Sequence, residues 1–284
     1  MLSKGVQYML LSALVMTTMQ TCVKVVSHLP AAEVVFFRAS ISVVMSYITL
    51  RAQKVAIWGK PENRPILWAR GVFGTIALVM VFATFQNMPL ASALLLHYLA
   101  PIFTALLTAI FLKERLYKVQ WLFFLMCFAG IFLIKGFDSR VNSLYFMLAV
   151  VGALFSAAAY TCIRKLKGNE HPIVIVFYFP FVALPITGLM TIFNWKMPIG
   201  DDWIYLLAIG ILTQIGQVLL TKAYQAEEAA KVASVNYTGI IYGLAFGFLF
   251  FGETYDWMVY IGMALVIVGV LLNVTFKKLF KIGR

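Results

Sequence analysis

Charge is scarce in this chain. Only 12% of its 284 residues are Asp, Glu, Lys or Arg, and just 11 are acidic. Clusters of carboxylates for acid–base chemistry, or for holding hard cations, are therefore difficult to assemble. Histidine is rarer still. His28, His97 and His171 are far apart, and no H-E-x-x-H helix, G-x-S-x-G turn or P-loop occurs. An enzyme is not expected. The three cysteines, Cys22, Cys127 and Cys162, all lie inside apolar segments, which gives neither a disulfide framework nor a zinc pattern. No cofactor or metal is expected either.

What the chain has in abundance is hydrocarbon. Hydrophobic residues make up 62% of it, and the mean hydropathy is +0.91. A soluble domain of this length has too little interior to hide so much apolar surface, so lipid is the expected solvent. The runs are apolar on all sides and far exceed the ten-residue alternating segments of a membrane β-barrel. The expected fold class is an all-α integral membrane protein.

Bilayer thickness sets the unit of counting, because a spanning helix needs about 20 mostly apolar residues. Ten spans follow, at 5–27, 33–50, 67–86, 89–112, 117–135, 142–163, 172–194, 203–221, 230–251 and 256–276. No charged residue occurs from Gly71 to Leu112. One helix of that length would overshoot the membrane, so the chain must turn at Asn87-Met88-Pro89, where proline suits the first position of a new helix.

The formal charge of +12 raises the possibility of nucleic acid, but the basic residues sit mostly in short gaps between spans. No nucleic-acid partner is expected. With the N-terminus inside, the inner segments carry Lys4, Arg51, Lys54, Lys60, Arg64, Lys113, Arg115, Lys118, Arg164, Lys165, Lys167, Lys222, Lys277, Lys278, Lys281 and Arg284. The outer segments hold only Lys24, Lys135, Arg140 and Lys196. That asymmetry places both termini in the cytoplasm, most simply at a bacterial inner membrane.

The chain also repeats itself. A shift of 139 places Gln86 on Gln225, Ala91 on Ala230, Tyr98 on Tyr237, Glu114 on Glu253 and Gly130 on Gly269. A shift of 140 places Thr21-Cys22 on Thr161-Cys162 and Lys24 on Arg164. The first span could pass for a signal peptide, but its repeat partner at Ala153 to Leu166 argues that it is retained. The expected units are 1–138 and 139–284, each of five spans. Five is odd, so the second half must cross the membrane in the opposite sense. Inverted repeats of this kind let two halves exchange conformations around one midplane site, a device of secondary transporters. A duplicated scaffold without transport is the plainer reading.

Several motifs then come together. Glu33-Val-Val-Phe-Phe-Arg38 opens the second span, and Ala69-Arg70-Gly71 opens the third. Pro89-Leu-Ala91 leads through Ala100-Pro101-Ile102 to Leu112-Lys113-Glu114-Arg115, and Phe251-Gly252-Glu253-Thr254 repeats that ending. Across nearly its whole length the chain resembles the EamA-type transporters of the drug/metabolite transporter superfamily. The resemblance implies ten helices, a central cavity between the halves, and movement of amino acids, nucleotide-linked or other organic solutes without ATP. The first half looks like the branch with S-adenosylmethionine carriers and their animal relatives. One departure stands out. Small multidrug members carry a glutamate midway along their first helix, whereas this one reads Met16-Thr17-Thr18-Met19-Gln20. Proton-for-cation exchange by that route is not supported.

Candidate solute-binding residues are those whose polarity is costly in lipid. Arg38 lies well inside the second span, where it either faces the cavity or, as the bland alternative, snorkels or pairs with Glu33. His97-Tyr98 and Asn236-Tyr237 are equivalent under the shift and would face each other across a pseudo-twofold axis, or else act as polar glue between helices. Gln20 and its counterpart Tyr160, Tyr178 at the position matching Arg38, and Gln214 and Gln217 complete the set. Pro101, Pro180 and Pro185 permit bending. Gly130, Gly136, Gly262 and Gly269 permit close backbone approach, within the chain or in a dimer. Monomer and homodimer both remain open. The expected cargo is a small organic solute, with a lipid-linked or phosphate-bearing substrate as rival. A non-transporting interaction subunit is the rival outside transport. No filter of carbonyls or ring of charge suggests a channel.

Overall fold

The computed structural model describes residues 3–113, 117–166, 168–226 and 235–279. Among these residues everything regular is helical. The elements are α1 (Lys4–Val25), α2 (Ala31–Ala52), a short 3-10 turn (Pro61–Asn63), α3 (Arg64–Asn87), α4 (Leu90–His97), α5 (Ala100–Phe111) and α6 (Lys118–Phe137). After these come α7 (Ser143–Leu166), α8 (Pro172–Ile192), α9 (Asp202–Ala226), α10 (Thr238–Phe251) and α11 (Trp257–Leu279). Eight helical segments are long and apolar enough to cross a bilayer, with 90–111 counted as one although it is broken. Thr238–Phe251 and Trp257–Asn273 are shorter apolar helices. The expected ninth span begins outside the described residues, as do Glu114 and Ala230 among the repeat matches.

Proline marks several of the helix starts. Pro30 and Pro89 are the residues before α2 and α4, while Pro101 and Pro172 sit in the first turns of α5 and α8. There the missing N–H would have had no intrahelical partner. Pro61 and Pro65 start the third span at 61–64, earlier than the expected 67, because polar residues at its start still wind helically. Pro180 and Pro185 lie within α8, which continues through both.

Helix boundaries recur at the offset seen in the sequence. α1 matches α7, α2 matches α8, α3 matches α9, α5 matches α10 and α6 matches α11. Packing follows the same exchange. α1 lies on α9 as α3 lies on α7, α2 lies on α9 as α3 lies on α8, and α5 lies on α7 as α1 lies on α10. The pairs α2–α8 and α6–α11 map onto themselves. Even the helix ends correspond. Gly252, after α10, has φ +61°, and Lys113, 139 residues earlier, has φ +54°. The fold is two inverted five-helix repeats.

The most enclosed element is α4. Leu90 through Leu96 are all buried, and a helix apolar on every side belongs in the interior. The outer surface is apolar instead of polar, with Trp121, Leu125, Phe132, Leu189, Ile204 and Leu249 all well exposed. Lipid is the solvent that such a surface fits. On the self-paired face, Gly130 and Gly262 bring α6 and α11 together. A Cβ at Gly262 would sit 2.7 Å from the Gly130 carbonyl, and one at Gly269 would sit 2.6 Å from Cys127 Sγ. These three glycines serve packing within the chain, whereas Gly136 faces open space.

Candidate functional site

Two arginines lie inside spanning helices, and both turn inward. Arg38 is the eighth residue of α2 and Arg70 the seventh of α3, which runs antiparallel, so each stands about 10 Å in from opposite ends. Their side chains converge on one ring. The guanidinium of Arg38 lies 5.5 Å from the centroid of Phe179 in α8, and that of Arg70 lies 4.5 Å from it. Arg38 is only 8% exposed; its Nε donates to Thr213 Oγ1 of α9 at 3.1 Å, and its plane also covers Phe82. Nε and Nη1 of Arg70 are buried without a hydrogen-bond partner among the described residues. Tyr160 of α7 stands within electrostatic range of both arginines and is 45% exposed.

The alternative in which Arg38 pairs with Glu33 is not what the structure holds. Glu33 is fully buried, and its Oε2 accepts from the backbone N–H of Lys196 at 3.0 Å. Arg38 is thus left without a carboxylate partner among the described residues.

A second assembly stands where two helices are interrupted. α4 stops at His97 and α5 starts at Ala100, because Pro101 has no N–H to offer the His97 carbonyl one turn earlier. α10 begins after a matching break at Tyr237. The interrupted segments meet. The Tyr98 and Tyr237 rings are 4.9 Å apart, and the Tyr98 hydroxyl donates to the main-chain carbonyl of Asn236 at 3.1 Å. The juxtaposition across the pseudo-twofold axis is therefore present, although Asn236 contributes its backbone to this bond. His97 Nδ1 is buried and unpartnered nearby, as is Oε1 of Gln20 on α1. Gln214 and Gln217 are half-buried along α9 beside Thr213. Tyr178 is 1% exposed, and its hydroxyl donates to the Trp58 carbonyl in the loop after α2. It sits in a packed apolar cluster with Leu50, Leu67 and Val182.

Sequence reasoning missed a third feature, at the end of the bundle where α1 finishes. Lys24 reaches Glu253 Oε1 at 2.5 Å and also donates to the Met88 carbonyl. The Glu253 carboxylate accepts from Leu90 N at 2.8 Å and from the Tyr255 hydroxyl at 2.9 Å. Local structure aims it there. Gly252 adopts the left-handed conformation, so that Gly252 N bonds the Phe248 carbonyl and Glu253 N bonds that of Gly247, a glycine-capped helix end. Burial first, then the Glu253 charge and hydrogen bond, push the Tyr255 phenol up, so it remains a donor. Arg140 continues the network, with Nε on Asp138 Oδ1 at 2.9 Å, Nη2 on the Thr254 carbonyl at 2.6 Å and its plane over Tyr255. The signal was present as a lysine in the last turn of an apolar helix.

Arg70 is not among the solute-binding candidates that the sequence offers. With the span taken to start at 67 it looked like an interfacial residue, and the earlier start at Arg64 carries it a turn deeper.

The EamA-like transporter family model matches the chain twice, over residues 3–136 and 143–275. Among curated proteins, the pseudopaline exporter of Pseudomonas aeruginosa is 35% identical over 271 residues, covering 94% of this chain and 95% of the exporter. Mouse solute carrier family 35 member G1 is 28% identical, covering 93% of this chain and 76% of the carrier. The riboflavin transporter of Vibrio cholerae is 24% identical over 67% of this chain and 64% of that protein. A solved crystal structure at 17% identity has the same fold, with a TM-score of 0.66 over 98% of this chain and 97% of the other.

Proposed function

The chain belongs to the EamA-like transporter family, and from that premise we propose that it is a secondary-active transporter of small organic metabolites. It is an integral membrane protein concerned with membrane transport; the mechanism and the class of solute are our reading. The units are 1–138 and 139–284, and they alternate access to a site near the midplane. Both termini lie in the cytoplasm of a bacterial cell, at the inner membrane.

One observation carries the reading. Helices α4–α5 and α10 are interrupted at equivalent positions, and the interruptions meet at Tyr98 and Tyr237. Irregular backbone at membrane depth frees polar groups that a continuous helix would consume, and it is tolerated where it faces protein or a water-filled cavity. The unpartnered His97 Nδ1 and Gln20 Oε1 belong to the same interior. We assign Arg38, Tyr98, His97, Gln20, Tyr160, Gln214, Gln217, Asn236 and Tyr237 to the lining of the solute path, with Tyr178 as the packed counterpart of Arg38. Efflux is the direction suggested by the exporter at 35% identity.

The test is solute flux in liposomes that contain only the purified protein. Loading with a mixture of amino acids, organic acids and nucleosides, followed by analysis of what leaves, should show selective, saturable, ATP-independent release. Release no faster than from empty liposomes, with the protein folded, would overturn the reading in favour of a non-transporting subunit.

A further inference from the structure

The arginine pair has no counter-charge of its own. The ion pairs among the described residues are Lys24–Glu253, His28–Asp202 and Arg140–Asp138, and none reaches Arg38 or Arg70. Two like charges held against one ring in an apolar interior repel each other, and each has lost most of its water. Among the described residues, Arg38 makes its polar contact with the neutral hydroxyl of Thr213. Nε and Nη1 of Arg70 have no acceptor among the described residues. Such donors call for an acceptor that the described residues do not supply.

The stacking explains how the arrangement stays poised. A guanidinium lying on an aromatic face is supported through its plane, while its N–H groups point outward along its edge. Phe179 carries both guanidinium groups in this way, while Nε and Nη1 of Arg70 have no acceptor among the described residues. Gly74 makes the room. A Cβ there would lie 2.7 Å from Arg70 Nη1 and 2.9 Å from Phe179 Cδ2. Tyr160, partly exposed and within electrostatic range of both arginines, adds a hydroxyl.

We propose that Arg38 and Arg70, stacked on Phe179 with Tyr160 beside them, bind the oxyanion groups of the solute, and that the solute is a small organic dianion. Forks of this shape match carboxylate and phosphate alike, each oxyanion taking two parallel N–H bonds. The proposal rests on the transport reading above and names the substrate class of that site.

The measurement is the melting temperature of the full-length protein in detergent. Probes are succinate and glycerol 3-phosphate, with succinamide and glycerol as neutral counterparts, at 20 mM and equal ionic strength. At least one anion should raise the wild-type value by about 3 °C or more, and the neutral compounds should not. A response to succinate alone identifies carboxylate, and one to glycerol 3-phosphate alone identifies phosphate. The shift should vanish in Arg38→Gln and Arg70→Gln. Both variants, relieved of an unpaired charge, should melt no lower than wild type without ligand. A fall in the unliganded value of Arg70→Gln would mark the pair as structural and overturn the proposal, as would equal responses to anions and neutral analogues. Flux separates this from the transport reading. Carriage of a neutral solute that ignores both anions removes the dianion assignment alone, whereas anion binding without any flux removes the transport reading alone.

Discussion

A single carboxylate outside the membrane shows how hydrogen bonds outweigh burial. Glu170, in the loop between α7 and α8, accepts from the backbone N–H of Lys60 at 2.9 Å, from Asn63 Nδ2 at 3.1 Å and from its neighbour His171 N at 3.1 Å. Burial by itself raises its pKa, but these donors and the charge of Lys60 more than compensate, and the net shift is downward. The sign of the consequence is fixed. A folded-state value below the unfolded one gives stability that is complete above the ordinary glutamate range and is lost as pH falls through the lowered value. Glu170→Gln should therefore melt about 2 °C below wild type at pH 7, and the gap should close as the pH falls below 4. A gap independent of pH would show that the loop is held by shape and not by charge. The same contact pins the loop after α2 to the start of α8, and Gly59, at φ +57°, makes the turn that allows it.

Among the elements, the α6–α11 pair tests close packing most directly, because identical substitutions should act in opposite directions. Gly262→Ala places a methyl 2.7 Å from the Gly130 carbonyl and 3.0 Å from Ile134, so the helices must separate, at a cost of about 1–3 kcal/mol. Gly136→Ala on the same helix pair meets nothing within 4 Å and should gain about 0.5–1 kcal/mol from helix propensity. Melting temperatures of the two variants decide it; a Gly262→Ala protein as stable as wild type would mean that this seam is loose. Elements were the most legible level of the sequence. Apolar runs bounded by charge or proline located every described helix, and the 139-residue shift anticipated the match between α6 and α11. The start of α3 was missed because polar residues from Pro61 to Arg64 wind helically ahead of the apolar run. Pro101 marked one interruption, but Tyr237 marks its partner with no proline at all. Contacts between distant residues were illegible for a different reason. Arg38 finds Thr213 across 175 positions and Lys24 finds Glu253 across 229, and in a chain this apolar no periodicity says which face of a helix turns inward.

At the scale of the whole molecule, the network around Glu253 ties several elements together at one end of the bundle. It joins the end of α1 through Lys24, the turn before α4 through Met88 and Leu90, and the loop before α7 through Arg140, all onto the segment from α10 to α11. If both termini are cytoplasmic, as proposed above, this end is the outer face, and the network ties its elements together there. The ion pair is largely out of water, with side-chain exposures of 15% for Lys24 and 7% for Glu253. Removing one partner leaves the other desolvated and unpaired, which costs more than the pair itself contributes. Opening the outer face exposes both groups to water and relieves that cost, so Lys24→Met should favour the open state more than any uncharged trimming of the same contact. A coupling of about 1–3 kcal/mol corresponds to a population change of about 5- to 150-fold, enough to make a minor conformer visible. Spin labels at Ser27 and Asp256, both exposed on this end, report the separation directly. Wild type should give one short distance, and Lys24→Met and Glu253→Gln should each add a longer one. The double variant, with neither charge left stranded, should return toward the wild-type distribution. If all three variants instead keep the single short distance while their melting temperatures fall, the network is a fixed staple, and alternation of access at this face must run through other contacts.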